Sequence, residues 1–434
     1  MKPGNERVEA RTIRKIRRRL VPFLVLCYVA AYLDRVNVGF AALTMNADIG
    51  LDALSYSLGA SIFFVGYFLF EVPSNYALVK VGARRWIARI MVTWGILSSA
   101  TAFVSGPTSF YVARFLVGAA EAGFFPGIIL YLTFWFPPAY RARIVSLFMV
   151  SIPASSVVGA PISGSLLGLD GWLGLKGWQW LFILEGAPAV LLGLVAGWYL
   201  TDSPERAEWL SREERDWLRR ALRPAGDAES ERATASGIAR AMASPRILCL
   251  AIVYFGLTAS NYGLGFWLPQ IVKAMGLTNT QTGLVTALPF LSGAIAMVLW
   301  ARHSDRSKER FWHMALPAAL ACMGLATCAC LRDPWLTVLV LSVAATGIFA
   351  SLPVFWTLPT AMLTGTRAAT GIALINSIAN LSGFGGPYLV GWIKQRSGSF
   401  DGALLALSIF PLISTALVLV LGWAVRIPAE QEQI

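Results

Sequence analysis

The stretch from Arg114 to Gly127, RFLVGAAEAGFFPG, sets an arginine and a glutamate inside an otherwise apolar run. Arg114 and Glu121 are seven residues apart. That is two helical turns, about 10 Å of rise, on nearly the same face. A charge deep in a bilayer costs roughly 2.5–3.5 kcal/mol on insertion scales, so such residues face a protein interior or a watery cavity. Gly118, Ala119, Ala120, Ala122 and Gly123 are small, so a neighbouring helix or a ligand can come close. An earlier apolar run is interrupted by Asp34 and Arg35. Adjacent helical residues point about 100° apart, so these two face different partners. Arginine offers a permanently charged planar fork that suits a carboxylate ligand. A carboxyl in low dielectric favours its neutral form and a nearby arginine favours the ionised one, which makes Asp34 and Glu121 switchable. If Arg35 and Arg114 hold these carboxylates ionised in an empty site, an organic anion competing for the arginines leaves them to take up protons. Anion and proton then favour each other's binding. The plain structural alternative is a set of fixed interhelical ion pairs.

The elements that must position these residues are membrane spans. The chain has 434 residues, of which 56% are hydrophobic and only 14% charged. Its mean hydropathy is +0.61, and a soluble chain of this size carries roughly 25% charged residues. Hydropathy gives twelve candidate helices, at 20–43, 54–79, 86–105, 108–135, 144–168, 178–200, 247–272, 281–300, 312–331, 334–363, 369–393 and 402–425. Each has about the 20 residues needed to cross. The basic start followed by an apolar run imitates a secretory signal. Asp34 and Arg35 interrupt that run and many spans follow, so the first span reads as uncleaved.

With the N-terminus inside, 29 of the 36 lysines and arginines fall in segments on the inner side and five on the outer. This bias predicts a multi-pass protein with both termini cytoplasmic. It also explains the net charge of +12 as a face that meets anionic lipid, with no nucleic-acid partner. The five cysteines, Cys27, Cys249, Cys322, Cys328 and Cys330, lie in apolar runs without metal-ligand spacing. The two histidines, His303 and His313, sit in or beside a basic loop, which argues against a histidine metal site or proton relay in the membrane.

The domain organisation reads as a basic arm at 1–19, a six-helix half at 20–200, a linker at 201–246, a second six-helix half at 247–425 and a tail at 426–434. Within the linker, Ser211 with Glu214 three residues on predicts a capped amphipathic helix. The halves echo each other weakly: KVGARR with ARHSDRSKER, Gly159–Pro161 with Gly385–Pro387, and Arg141 with Arg367 ahead of the fifth and eleventh spans. Two repeated halves around a central site describe a secondary transporter.

These residues carry a family resemblance over essentially the whole chain. The twelve-span plan and the Arg-Arg and Asp-Arg loops resemble the major facilitator superfamily, an all-α polytopic membrane fold. YLDRVNVGFA, GYFLFEVPSN, RFLVGAAEAGFFPGIILYLTFWF, WQWLFILEGAPAVLLG and DSPERAEWL resemble its anion:cation symporter family, nearest the tartrate, hexonate and aromatic-acid branch. The resemblance implies that Arg114 contacts a substrate carboxylate and that Asp34 and Glu121 carry protons. It also implies that Tyr32, Tyr67 and Asn376 line the substrate site. Two departures stand out: no aspartate precedes Arg84-Arg85, which leaves the usual gating salt bridge of that loop without its acid, and the seventh span has no arginine.

Arg35 is expected to sense the substrate, and Trp356, in the tenth span, is a further candidate contact. Glu71, Asn261, Tyr262 and Asn380 are open between substrate contact and helix packing, and Glu185 is expected to be structural. The expected function is import of a small organic anion, a tartrate-like hydroxy acid or sugar acid, by proton symport through alternating access in a bacterial inner membrane. Protons are the coupling ion, no cofactor is needed, and a monomer is expected. The alternatives are an aromatic carboxylate as cargo, or anion exchange without protons. An integral-membrane enzyme would need a nucleophile, metal set or cofactor motif in the membrane. A receptor would need a soluble output domain, which the short linker does not provide.

Overall fold

The computed structural model describes residues 3–222, 244–362 and 366–431, and the remainder of the 201–246 linker lies outside them. Among the described residues there are twelve helical crossings, six before the linker and six after. The first six are α1 (Pro3–Asp48), α2 (Ala53–Val81), α3 (Ala83–Ala100), the broken pair α4 (Pro107–Glu121) and α5 (Phe124–Thr133), α6 (Pro138–Leu166) and α7 (Gly177–Tyr199). The linker contributes α8 (Arg212–Leu222). Then come α9 (Pro245–Lys273), α10 (Asn279–Ser307), α11 (Phe311–Cys328), the broken pair α12 (Pro334–Phe355) and α13 (Thr357–Met362), α14 (Thr366–Ser397) and α15 (Asp401–Gln431).

Eleven of these crossings contain stretches long and apolar enough to span a membrane by length and composition. The twelfth, α14, has 32 residues but carries Asn376, Asn380 and the run SGFGG. Its polar character has a structural reason: it packs on α2 and α9 at the middle of the bundle.

The basic arm is helical and continuous with the first span: α1 runs unbroken for 46 residues from Pro3. Ile13, Ile16 and Leu20 recur at helical spacing and are buried, so the arm has its own apolar stripe to pack. The fourth span is not one helix. Pro126 has no N–H to give to the Ala122 carbonyl four residues back, and its ring crowds that carbonyl. The chain therefore turns at Ala122 and Gly123, with Gly123 at φ +82°. The tenth span breaks by the same logic: Pro359 lies four residues after Phe355, where α12 ends.

Across the halves, α6 packs on α10, α2 on α14 and α1 on α9. At the end of the bundle away from the arm the backbones nearly touch. A Cβ on Gly164 would lie 2.6 Å from the Asn279 carbonyl oxygen, and one on Gly283 would lie 2.4 Å from that of Ala160. Tyr56 Oη donates to the Phe266 carbonyl at 3.0 Å, and the Ala53 amide donates to Gln395 Oε1 at 3.2 Å. This end is sealed by small residues and direct bonds.

The acid missing before Arg84 comes from elsewhere. Asp202, just after α7, accepts the Arg84 amide at 2.9 Å and lies 3.9 Å from the Arg84 guanidinium. It caps α3, whose own preceding residue, Gly82, offers no side chain. Asp305, in the corresponding loop of the second half, pairs with Arg310 at 2.9 Å. Arg141 donates to the Phe136 and Thr133 carbonyls at the end of α5, at 2.8 and 3.2 Å. The side chain of Arg367, its expected counterpart, lies outside the described residues.

Candidate functional site

The centre of the bundle is organised by three charges. Arg35 of α1 forms a buried ion pair with Glu121, the last residue of α4. The Arg35 guanidinium also donates to Tyr262 Oη at 3.2 Å and lies 5.5 and 5.3 Å from the ring centroids of Phe63 and Tyr67. Arg114 lies 5.0 Å from the same Phe63 ring. It is 1% exposed, makes no ion pair among the described residues, and its Nε and Nη2 are buried without a hydrogen-bond partner. Glu121 Oε2 is likewise unpartnered. The shared face of Arg114 and Glu121 is real, but the partner of Glu121 is Arg35. The helix ends at Glu121, two turns above Arg114, and a long side chain from the neighbouring helix reaches it first.

Asp34 turns away from this group. It accepts from Trp94 Nε1 at 2.7 Å and Ser98 Oγ at 2.9 Å, both on α3, and from Asn37 Nδ2 at 3.3 Å. It makes no ion pair among the described residues. The expectation that Asp34 pairs with the arginines is therefore corrected: its hydrogen-bond partners are the neutral donors Trp94, Ser98 and Asn37. The cause is the angular offset of adjacent helical residues, which sends Arg35 to the centre and Asp34 into the packing between α1 and α3. Glu185 of α7 accepts from Ser163 Oγ of α6 at 2.6 Å and is buried within the first half.

The neutral candidates bridge the halves. Asn261 Nδ2 donates to Tyr32 Oη at 3.3 Å. Asn376 and Asn380, one turn apart on α14, donate to the two carboxylate oxygens of Glu71 at 3.4 and 3.3 Å. Tyr67 sits beneath Arg35. Trp356, at the break between α12 and α13, stands edge-on to Tyr254 with ring centroids 4.9 Å apart. The structure thus brings Arg35, Arg114 and Tyr67 around the Phe63 ring, with Glu121 held by Arg35, and sets Asp34 and Trp356 outside that group. Sequence reasoning missed Phe63 and Phe64. Phe63 lies one turn before Tyr67, on the same face of α2, and that spacing is the signal that could have found it. Phe64 packs edge-on to Tyr262 at 4.7 Å.

The buried charges are divided unequally. Among the described residues of the membrane crossings, the buried acids and arginines Asp34, Arg35, Glu71, Arg114, Glu121 and Glu185 all belong to the first half. From the second half, Asn261, Tyr262, Asn376 and Asn380 reach them as neutral groups. Among the described residues no cluster of histidine, cysteine, aspartate or glutamate is suited to hold a metal ion. The arrangement can bind an anion at Arg114, exchange a proton at Glu121, and report one event to the other through Arg35.

The chain's relatives are consistent with this geometry. A protein of Agrobacterium vitis named for tartrate transport is 52% identical over 416 residues, covering 96% of this chain and 92% of the relative. The "Quinolone resistance transporter" of Acinetobacter baumannii is 43% identical over 414 residues, covering 94% of this chain and 95% of the relative. Among solved structures, a bacterial homologue of the human lysosomal transporter Spinster, titled as inward-facing and unoccupied, superposes with a TM-score of 0.77 at 18% identity, covering 97% of both chains. The family model of the Major Facilitator Superfamily matches residues 24–387 and 250–432. The chain is a multi-pass membrane transporter and belongs to the Major Facilitator Superfamily.

Proposed function

We propose that this protein imports a small hydroxylated organic anion, of the tartrate or sugar-acid kind, together with protons across a bacterial inner membrane. The observation that carries this reading is Arg114: a fully buried guanidinium with unpartnered nitrogens, beside an ion pair that an incoming carboxylate can disturb. A buried cation without an anion costs free energy that a carboxylate ligand relieves. The basic end is read as cytoplasmic from the lysine and arginine bias. The sealed end is then the outer one, and the site opens inward.

Coupling follows from competition. In the empty site Arg35 neutralises Glu121. A bound carboxylate draws on Arg114 and Arg35 together, and Glu121, deprived of its cation, takes up a proton. Asp34, held by neutral donors on α3, is a second proton position on the same helix turn as Arg35. Tyr32, Tyr67 and Asn376 supply hydroxyl and amide contacts to the cargo's hydroxyl groups, and Trp356 flanks them. The loaded, neutralised centre then crosses by rocking of the halves. The relative named for tartrate transport supports the substrate class.

A second reading is an aromatic carboxylate. The rings of Phe63, Phe64, Tyr67 and Tyr262 gathered around the two arginines favour it, as does the relative named for quinolone resistance. The test is proton entry into proteoliposomes on addition of tartrate, hexonates or hydroxylated aromatic acids. An acid that drives proton entry identifies cargo and coupling together. If labelled anion exchanges at every pH while no acid moves protons, the symport reading fails and anion exchange replaces it.

A further inference from the structure

Outside the transport path, the arm and the linker flank an open cavity of about 610 Å³. Five α1 cations line it: Arg11, Arg14, Lys15, Arg18 and Arg19. They recur every three to four residues, so one helix face carries them all. Two are already neutralised. Arg11 pairs with Glu213 and Glu214 at 3.0 and 3.1 Å, and Lys15 pairs with Glu214 at 3.1 Å. Arg14 and Arg18 have no ion-pair partner among the described residues. Arg19 packs against the Tyr199 ring, 4.9 Å from its centroid, and the Trp209 ring, at 5.1 Å. Its Nε is buried without a hydrogen-bond partner. A guanidinium stacked in this way keeps its in-plane N–H groups for a planar or tetrahedral oxyanion.

The position of the cavity narrows the ligand. Tyr199 is the last residue of α7, and the apolar part of α1 begins at Leu20. Trp198 beside it is 72% exposed, as an interfacial aromatic is. Beyond it the two packed helices present exposed Leu26, Leu191 and Leu194 to the hydrocarbon. A basic, aromatic-walled cavity thus opens directly above a lipid-facing apolar surface.

We propose that the arm–linker cavity binds the phosphodiester headgroup of an anionic phospholipid, whose acyl chains lie along the exposed face of α1 and α7. Arg14 and Arg18 neutralise the phosphate, and Arg19, held by Tyr199 and Trp209, donates to its oxygens. The bound lipid bridges the arm to Trp209 of the linker and so adds to the Arg11–Glu214 contacts. Naming the leaflet as the cytoplasmic one rests on the orientation proposed above; the binding does not.

The test is native mass spectrometry of the full-length protein released from micelles doped with phosphatidylglycerol, cardiolipin or phosphatidylcholine. Arg14→Gln/Arg18→Gln is compared with Arg7→Gln/Arg17→Gln, which removes the same charge from the same helix at positions that do not line the cavity. The expected result is retention of phosphatidylglycerol or cardiolipin but not phosphatidylcholine. The cavity variant should lose about tenfold or more in occupancy while the control stays near the parent. Equal loss in both variants reduces the effect to general surface charge and overturns the site. Retention in the cavity variant overturns it as well. Displacement of the lipid by millimolar inorganic phosphate makes it a soluble-anion site instead. Transport does not enter this readout, so its outcome is independent of which cargo the protein carries.

Discussion

The Arg35 guanidinium binds the Glu121 carboxylate across the centre of the bundle, leaving Arg114 beside them with no ion pair among the described residues. One acid thus serves only one of two arginines that lie over the same Phe63 ring. A second carboxylate is what the group lacks, and a substrate can bring it. On the proposed reading, the ion pair is the lock that such a substrate loosens.

Arg114→Ala removes the unpartnered cation. Substrate affinity is expected to fall by about 100-fold or more, close to 3 kcal/mol, and uptake to vanish. Arg114→Lys should restore little, because a lysine gives a point charge in place of a fork. Calorimetric binding and vesicle uptake read this directly, and near-normal uptake by the alanine variant would remove the anion site.

Glu121→Gln keeps the shape but not the proton exchange. Counterflow of labelled substrate should survive, while accumulation driven by a proton gradient should fall to the level without a gradient. Full gradient-driven accumulation by this variant contradicts the coupling role.

Gly123 is left-handed at φ +82°, and a Cβ there would lie 2.5 Å from Ser74 Oγ. Gly123→Ala is expected to cost about 1–3 kcal/mol, seen as a lowered melting temperature of the detergent-solubilised protein. An unchanged melting temperature would mean that the break between α4 and α5 tolerates ordinary helical geometry.

The clamp between arm and linker depends on pH. Burial works against the charge on Glu214, but the Ser211 amide, Lys15 and Arg11 outweigh it and hold the carboxyl below its usual range. A lowered folded-state pKa stabilises the clamp above the unfolded value of about 4.3, and this is lost as pH falls further. Protection of the α8 amides, corrected for the pH dependence of intrinsic exchange, should therefore be high at neutral pH and fall below about pH 4. Glu214→Gln should show low protection at both. A pH-independent parent would show that the Arg11 and Lys15 contacts do not hold α8.

The membrane spans and the central charges were legible because both are local signals: apolar length, and ionisable residues where hydrocarbon forbids them. Ser211 and Glu214 likewise announced their reciprocal capping bonds, at 3.2 and 2.8 Å. The pairing of Arg35 with Glu121 was not legible, since the axial register of one helix against another is set by packing of the whole bundle. The same holds for Asp202, which reaches the start of α3 across 118 residues of chain, and for the grip of Arg11 on α8. The broken fourth span is different. Pro126 and Gly123 stood in plain view, but the hydropathy of the run carried straight through them. Proline spacing, counted four residues back, was the stronger evidence.

The unequal division of buried charge has an evolutionary consequence. On the proposed reading, proton exchange and the carboxylate contact both sit in the half that holds the acids and arginines, while the opposing half adds neutral amides and a phenol. Mutation of that second wall can then alter which cargo fits without touching the acids and arginines. A lineage built this way can diversify its diet while inheriting its motor intact.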